Sequence, residues 1–176
     1  MVDFMVAEGI DMLFAIGGDG TQRGALAVHE EITRRGLPIA IVGIPKSIDN
    51  DISCIDRTFG FETAVSEARD AIRCAHMEAK GAVNGVGLVK LMGRHSGFIA
   101  AWASLAYSEV NLTLIPEVAA PLDGVLDYLM ERLQRREHAV VVVAEGAGQE
   151  YFANSATGRD ASGNAGLNDI GPLLKA

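Results

Sequence analysis

The sequence predicts an α/β protein with mostly parallel, doubly wound sheet. Apolar runs of about four to eight residues alternate along the chain with longer stretches that carry apolar residues at helical spacing. The runs are nearly continuous rather than alternating, His138–Ala144 with its block of valines most clearly, as in strands covered on both faces. Glycine, 20 of 176 residues, stands at many of the joins.

Residues 1–9 read as a helix with Val2, Met5 and Val6 on one face and Gly9 as its stop. Asp11 to Ile16 is a short buried strand, followed by a glycine loop at 17–20. A helix over Thr21–Arg35 turns Ala25, Val28 and Ile32 inward, and Gly36 takes the left-handed position after it. Leu37 to Ile44 is a second buried strand ending at Pro45, and residues 45–61 are irregular. A long helix over Glu62–Lys80 follows, with Val65, Ala68, Ile72, Ala75 and Ala79 on its apolar face and Gly81 at its end. Val86–Met92 is a third strand, Phe98–Tyr107 a small-residue helix and Leu112–Ile115 a fourth strand. Pro121 opens a helix to Arg136 with Leu122, Leu126, Leu129 and Leu133 inward, Asp123 early and Arg132, Arg135 and Arg136 late, as the helix dipole favours. His138–Ala144 is the fifth strand. The tail from Tyr151, rich in Ser, Gly, Asn and Asp, is a loop with a short helix near Ile170. A chain that opens inside a helix and ends without a closing element is expected to be a piece of a longer protein.

A formal charge of −8 argues against a nucleic-acid binder, but not against small phosphorylated ligands, which need only local cations. Cys54 and Cys74 have no metal-like spacing, and a reducing compartment, the cytoplasm, is expected. No apolar run reaches the ~18 residues of a membrane-spanning helix. Nor is a signal peptide expected over the first residues given, since Asp3 and Glu8 interrupt the apolar stretch there. Asn111-Leu112-Thr113 matches a glycosylation sequon but lies in a strand-like run, and is read as chance.

Parallel sheets place ligands at the carboxyl ends of their strands. There stand residues 17–21, 45–51, 92–97 and 145–149, expected to form one site or two facing ones. In Gly17-Gly18-Asp19-Gly20-Thr21 the glycines let backbone amides approach an anion and the next helix adds its positive end. Asp19 repels phosphate directly, and a Mg²⁺ ion between carboxylate and phosphates resolves this. An ordinary glycine turn with an Asp cap is the alternative. In Lys46-Ser47-Ile48-Asp49-Asn50-Asp51 two carboxylates follow a cation and a hydroxyl, the types needed to transfer phosphoryl to an alcohol. The alternative is an Asx-rich turn.

Taken in order, Gly17-Gly18-Asp19-Gly20-Thr21, Pro45-Lys46-Ser47-Ile48-Asp49-Asn50-Asp51, Met92-Gly93-Arg94 and Ala144-Glu145-Gly146 resemble the 6-phosphofructokinase family. The resemblance covers essentially the whole chain and is strongest to the branch of plant, protist and bacterial enzymes that use ATP. It implies two similar α/β domains, with residues 1–60 part of a phosphoryl-donor domain and 61–176 part of a sugar-phosphate domain. It implies Asp19 as the Mg²⁺-associated acid, with Gly18, Gly20, Thr21 and Gly24 beside the nucleotide. Asp49 would be the base for the sugar 1-hydroxyl, with Asp51, Lys46 and Ser47 completing the catalytic segment. Ser47 stands where the family usually has threonine, keeping the hydroxyl and losing the methyl that fixes its rotamer. Met92, Gly93, Arg94 and Glu145 would hold fructose 6-phosphate. Bacterial members carry an arginine before the third strand, contributed across a subunit interface; in this chain Gly85 stands near that place. A homo-oligomer, dimer or tetramer, is also implied.

The phosphoryl donor implied is ATP. Pyrophosphate-using relatives carry aspartate at position 20, where Gly20 leaves room for an α-phosphate, although Lys46 is shared with them. The alternatives are a pyrophosphate-dependent enzyme and a non-catalytic regulatory subunit; intact Asp19 and Asp49 oppose the latter. NAD kinases and diacylglycerol kinases share the glycine loop but lack the later motifs.

Overall fold

A computed structural model describes residues 1–152, 158 and 166–175. The chain divides into two units, Met1–Gly60 and Phe61–Ala176, each with its own parallel sheet. The α/β class with parallel sheets expected from the sequence is what is found.

The first unit runs α1 (Val2–Ala7), β1 (Met12–Gly17), α2 (Asp19–Arg35) and β2 (Ala40–Pro45). The strands pair in parallel, Met12 opposite Ala40 through to Gly17 opposite Pro45. The core gathers Val2 and Met5 of α1 and Ile32 of α2 against Leu13 and Ile41 of the strands. Both helices thus cover one sheet face, and Met12, Phe14 and Ile16 lie exposed on the other. This corrects the expectation of strands buried on both sides: β1 alternates, as a half-covered strand does. Val6 is also exposed, because a helix this short turns only Val2 and Met5 inward. Gly36, at φ 64°, closes α2 by donating to the carbonyls of Ile32 and Thr33. Arg34 and Arg35 of the last turn hydrogen-bond Glu31, and these bonds, Arg34's the stronger, hold its carboxyl down at about 2.

The second unit runs α3 (Phe61–Gly81), β3 (Gly85–Leu91), α4 (Phe98–Ala106), β4 (Leu112–Leu114), α5 (Leu122–Arg136), β5 (His138–Ala144), a 3₁₀ turn (Gln149–Phe152) and α6 (Ile170–Lys175). The sheet order is β3-β5-β4, all parallel. β5 is central, and Ala139–Ala144 are all buried. Ala68 and Ile72 of α3 and Ala100 and Ala103 of α4 pack on it with Val140 and Val142, while Val125 of α5 and Ile170 of α6 pack with Val143. Each fully buried valine or isoleucine here contributes about 1.5–3 kcal/mol of transfer free energy. Phe61 at the start of α3 meets Trp102 of α4 edge to face, with ring centroids 6.0 Å apart.

Along α5 the expected inward row needs correction. Val125 is its buried residue and Leu126 is 51% exposed. The 3.6-residue period carries the stripe from Leu122 through Val125 to Leu129, so a four-residue step to Leu126 overshoots the face. The sequon asparagine is held in the sheet: Asn111 Oδ1 accepts the Val140 amide at 2.8 Å. The tail helix lies near Ile170 as expected; most of the Ser/Gly/Asn/Asp-rich loop before it lies outside the described residues.

Candidate active site

In the first unit the glycine loop and the carboxylate segment leave the sheet side by side. Gly17 opposes Pro45 in the last rung, and the Lys46 amide extends the ladder by donating to Gly17 O at 2.8 Å. Thr21 packs against Gly17, where a Cβ would come 2.6 Å from the Thr21 Cβ. Gly18 is the N-cap of α2 and brings no side-chain oxygen to the first turn. The Gln22 amide is the first to bond back, reaching Gly18 O at 3.0 Å. The amides of Asp19, Gly20 and Thr21 therefore stand at the positive end of a 17-residue helix, an arrangement suited to an anion. Apart from the helix's own backbone and the adjoining residues, no described atom lies within 4 Å of a Cβ built at Gly20 or Gly24, so there is side-chain room at both positions. Asp19 is exposed and forms an ion pair with Arg23 one turn along.

Lys46 is exposed and leads into a tight turn. The Asp49 amide donates to Ser47 Oγ at 3.2 Å, and that hydroxyl donates to Asp51 Oδ1 at 2.7 Å. Asn50 takes the left-handed region at φ 55°. Its Oδ1 accepts the Thr58 amide at 2.8 Å and its Nδ2 donates to Asp56 O at 3.3 Å, clamping the far side of the loop. Asp49 is half-buried and Asp51 exposed, so neighbouring carboxylates have different surroundings.

In the second unit Leu91 opposes Ala144 at the carboxyl ends of β3 and β5. The pairing runs on past the strands: the Glu145 amide donates to Leu91 O at 2.9 Å and the Gly146 amide to Gly93 O at 3.0 Å. Gly93 has φ 135°, and a Cβ at Gly146 would run into the Arg94 carbonyl. Both glycines are thus required for Met92-Gly93-Arg94 to lie against Glu145-Gly146. Met92 is exposed, and Arg94 and Glu145 are half-buried. The Gly97 amide, at the N-cap of α4, donates to Glu117 Oε1 at 2.7 Å and so anchors the other end of this loop.

The predicted residues therefore gather within each unit, Gly18–Thr21 with Lys46–Asp51 in the first and Met92–Arg94 with Glu145 in the second. Among the described residues no group of three or more His, Cys, Asp or Glu is placed to cage a metal. Magnesium in phosphoryl transfer usually takes one or two carboxylates and draws its other ligands from phosphates and water. The exposed carboxylate of Asp19, at the mouth of a row of amides, suits that mode. Two structural partners, Gln22 and Glu117, were not read from the sequence, and Asn50 was read only as part of an Asx-rich turn. Gly43 inside β2 was the available sign for Gln22, since glycine within a strand marks a close approach. Asn50 was signalled by its tolerance of positive φ. Glu117 carried no local signal.

Residues 1–166 match the family model described as phosphofructokinase. The chain belongs to the phosphofructokinase family. It is 54% identical over 176 residues to an ATP-dependent 6-phosphofructokinase of Trypanoplasma borreli, covering 99% of this chain and 36% of that protein. It is 51% identical over 180 residues to the chloroplastic ATP-dependent 6-phosphofructokinase 4 of Arabidopsis thaliana, covering 99% of this chain and 34% of that protein. Among solved structures it is similar to a pyrophosphate-dependent phosphofructokinase from Nitrosospira multiformis, with TM-score 0.72 and 27% identity over 83% of this chain and 39% of that one. The chain spans about a third of the length of the curated family members it matches.

Proposed function

We propose that the protein carrying this chain is an ATP-dependent 6-phosphofructokinase, which transfers the ATP γ-phosphoryl group to the 1-hydroxyl of fructose 6-phosphate in glycolysis. The observation that carries the reading is the last rung of the first sheet, Gly17 opposite Pro45, which sets an anion-ready helix start beside a turn holding two carboxylates. The names of the relatives at about half identity favour ATP over other donors.

In this reading Met1–Gly60 belongs to the donor half, with the amides of Gly18–Thr21 facing phosphate and Gly24 beside the nucleotide. Asp49 accepts the proton of the sugar 1-hydroxyl. Asp51 and Ser47 hold the turn, and the Ser47 proton can exchange Asp51 for a phosphoryl oxygen. Lys46 supplies positive charge to the transferred group. Asp19 would hold Mg²⁺, whose charge, when bound, offsets that developing on the phosphates. Phe61–Ala176 belongs to the sugar half, with Arg94 as cation, Met92 and Gly93 lining the sugar and Glu145 accepting from its hydroxyls. The assembly is a dimer or tetramer of identical chains. The cytoplasm is the proposed compartment: both cysteines are free, and no described helix is long and apolar enough to cross a membrane.

The test is a coupled assay of the protein with fructose 6-phosphate, ATP and pyrophosphate. Turnover with ATP is expected, and Asp49→Ser should lower kcat by about 10²–10⁴-fold with sugar binding retained. Near-wild-type kcat in that variant removes Asp49 as base. Lys46 and the solved pyrophosphate-dependent relative support a second reading, in which pyrophosphate is the donor, and turnover with pyrophosphate alone selects it.

A further inference from the structure

We propose that Gln22 is a positioning residue that fixes the start of α2 over the carboxyl ends of β1 and β2, and so sets the spacing of the two loops of the donor half. The inference rests on the phosphoryl-transfer reading above. Its basis is a convergence of carbonyls on one amide. Gln22 Nε2 lies 3.3 Å from Ala15 O, 3.0 Å from Gly17 O and 3.1 Å from Ile44 O. Two of these carbonyls belong to β1 and one to β2, and all belong to the last three residues of their strands or the residue just before the final rung. A primary amide has two protons, so three acceptors share them and the group sits at a point common to both strands.

The surroundings are shaped for this amide. A Cβ at Gly43 would run into Gln22 Oε1, so the glycine in β2 is what lets the side chain lie against the sheet. Gly17 O is used twice, by Gln22 Nε2 and by the Lys46 amide at 2.8 Å. The Gln22 main-chain amide meanwhile donates to Gly18 O at 3.0 Å and closes the first turn of α2. One residue thereby ties the three segments from which Gly18–Thr21 and Lys46–Asp51 emerge. The β1–β2 ladder alone aligns the strands with each other; Gln22 aligns the helix start with both. Moving that start shifts the phosphate-facing amides and Asp19 against Asp49 and Asp51. Displacements of about 1 Å in such a constellation can cost about 10²-fold in rate.

The experiment uses the protein with fructose 6-phosphate and ATP. Gln22→Met keeps the length and removes the donor, and Gln22→Glu keeps the shape but turns an acceptor toward three carbonyl oxygens. Gln22→Met is expected to lower kcat about tenfold to a hundredfold while KM for the sugar stays within about twofold. Gln22→Glu should be the slower of the two at neutral pH and should gain on Gln22→Met as acid protonates its carboxyl and restores a donor. A purely structural role would reduce the folded fraction and leave kcat per folded molecule, and its pH profile, unchanged; that result overturns the inference. Gly43→Ala displaces the amide without altering Gln22 and should show the same kinetic signature, which keeps the test decisive where Gln22→Met does not fold. An active wild type with an unaffected, folded Gln22→Met overturns this inference alone. A wild type that phosphorylates no sugar phosphate with either donor overturns the underlying reading as well.

Discussion

The Ser47 hydroxyl donates to Asp51 Oδ1 at 2.7 Å while accepting the Asp49 main-chain amide at 3.2 Å, so one side chain holds the Asp51 carboxylate and the Asp49 backbone together. Ser47→Ala breaks both bonds and is expected to lower kcat about tenfold, whereas Ser47→Thr, which keeps the hydroxyl and restricts its rotamer, should remain within about threefold. Steady-state kinetics on both variants is the check. An unchanged kcat in Ser47→Ala would mean that the Asn50 clamp holds the turn without it.

Gly20 offers a substitution that separates donor choice from folding. Beyond the helix's own backbone and the adjoining residues, no described atom lies within 4 Å of a Cβ at this position, and a carboxylate in the first turn of α2 suits the helix dipole, so Gly20→Asp should leave the unfolding midpoint near that of the wild type. It also places a negative charge where the α-phosphate of ATP is proposed to lie. KM for ATP should rise about tenfold or more, with pyrophosphate gaining relative to ATP. Equal KM values for ATP would displace the nucleotide from this loop.

The contact between Gly146 and the Arg94 carbonyl makes a stability prediction. A methyl group there has no room beside main-chain atoms, and Gly146→Ala should destabilise the second unit by about 1–3 kcal/mol. Denaturant unfolding with unchanged m-value reads this directly. Wild-type stability would show that the loop after β3 yields easily.

His76 on α3 gives a pH dependence. Its ring lies 5.4 Å from that of His138 at the start of β5. Burial first, then His138, Lys80 of α3 and Arg132 of α5, depress its pKa below 6.5, with Glu109 opposing them. A histidine whose folded pKa is lowered binds fewer protons folded than unfolded in the interval between the two values. Its contribution to stability is present above pH 6.5 and is lost as pH falls from there through the folded value. The urea midpoint should drop on acidification across this window, and His76→Gln should flatten the drop. An equal slope in the variant would assign the effect to other groups.

The order of elements was legible because glycine and proline mark the joins and because β5 is apolar throughout; its bounds, His138–Ala144, are those read from the sequence. The gathering of Lys46–Asp51 with Gly18–Thr21 was legible too, since parallel strands deliver their loops to the same end. What escaped reading depends on angles and on distance along the chain. Leu126 looked inward until the helix phase put Val125 there. β1 looked fully buried because its apolar residues do not reveal that helices cover one face only. Gln22 is polar and helical, and its target Ile44 lies 22 residues away, so only the glycine at position 43 hinted at it.

The valine strand of the second unit has a consequence for exchange with solvent. β5 is paired on both sides and its residues from Ala139 to Ala144 are buried. Amides so placed meet deuterium only when the surrounding unit opens as a whole. In deuterium-labelling experiments the β5 segment should therefore be the last of the second unit to gain mass, and its rate is a clock for the life of that unit's fold.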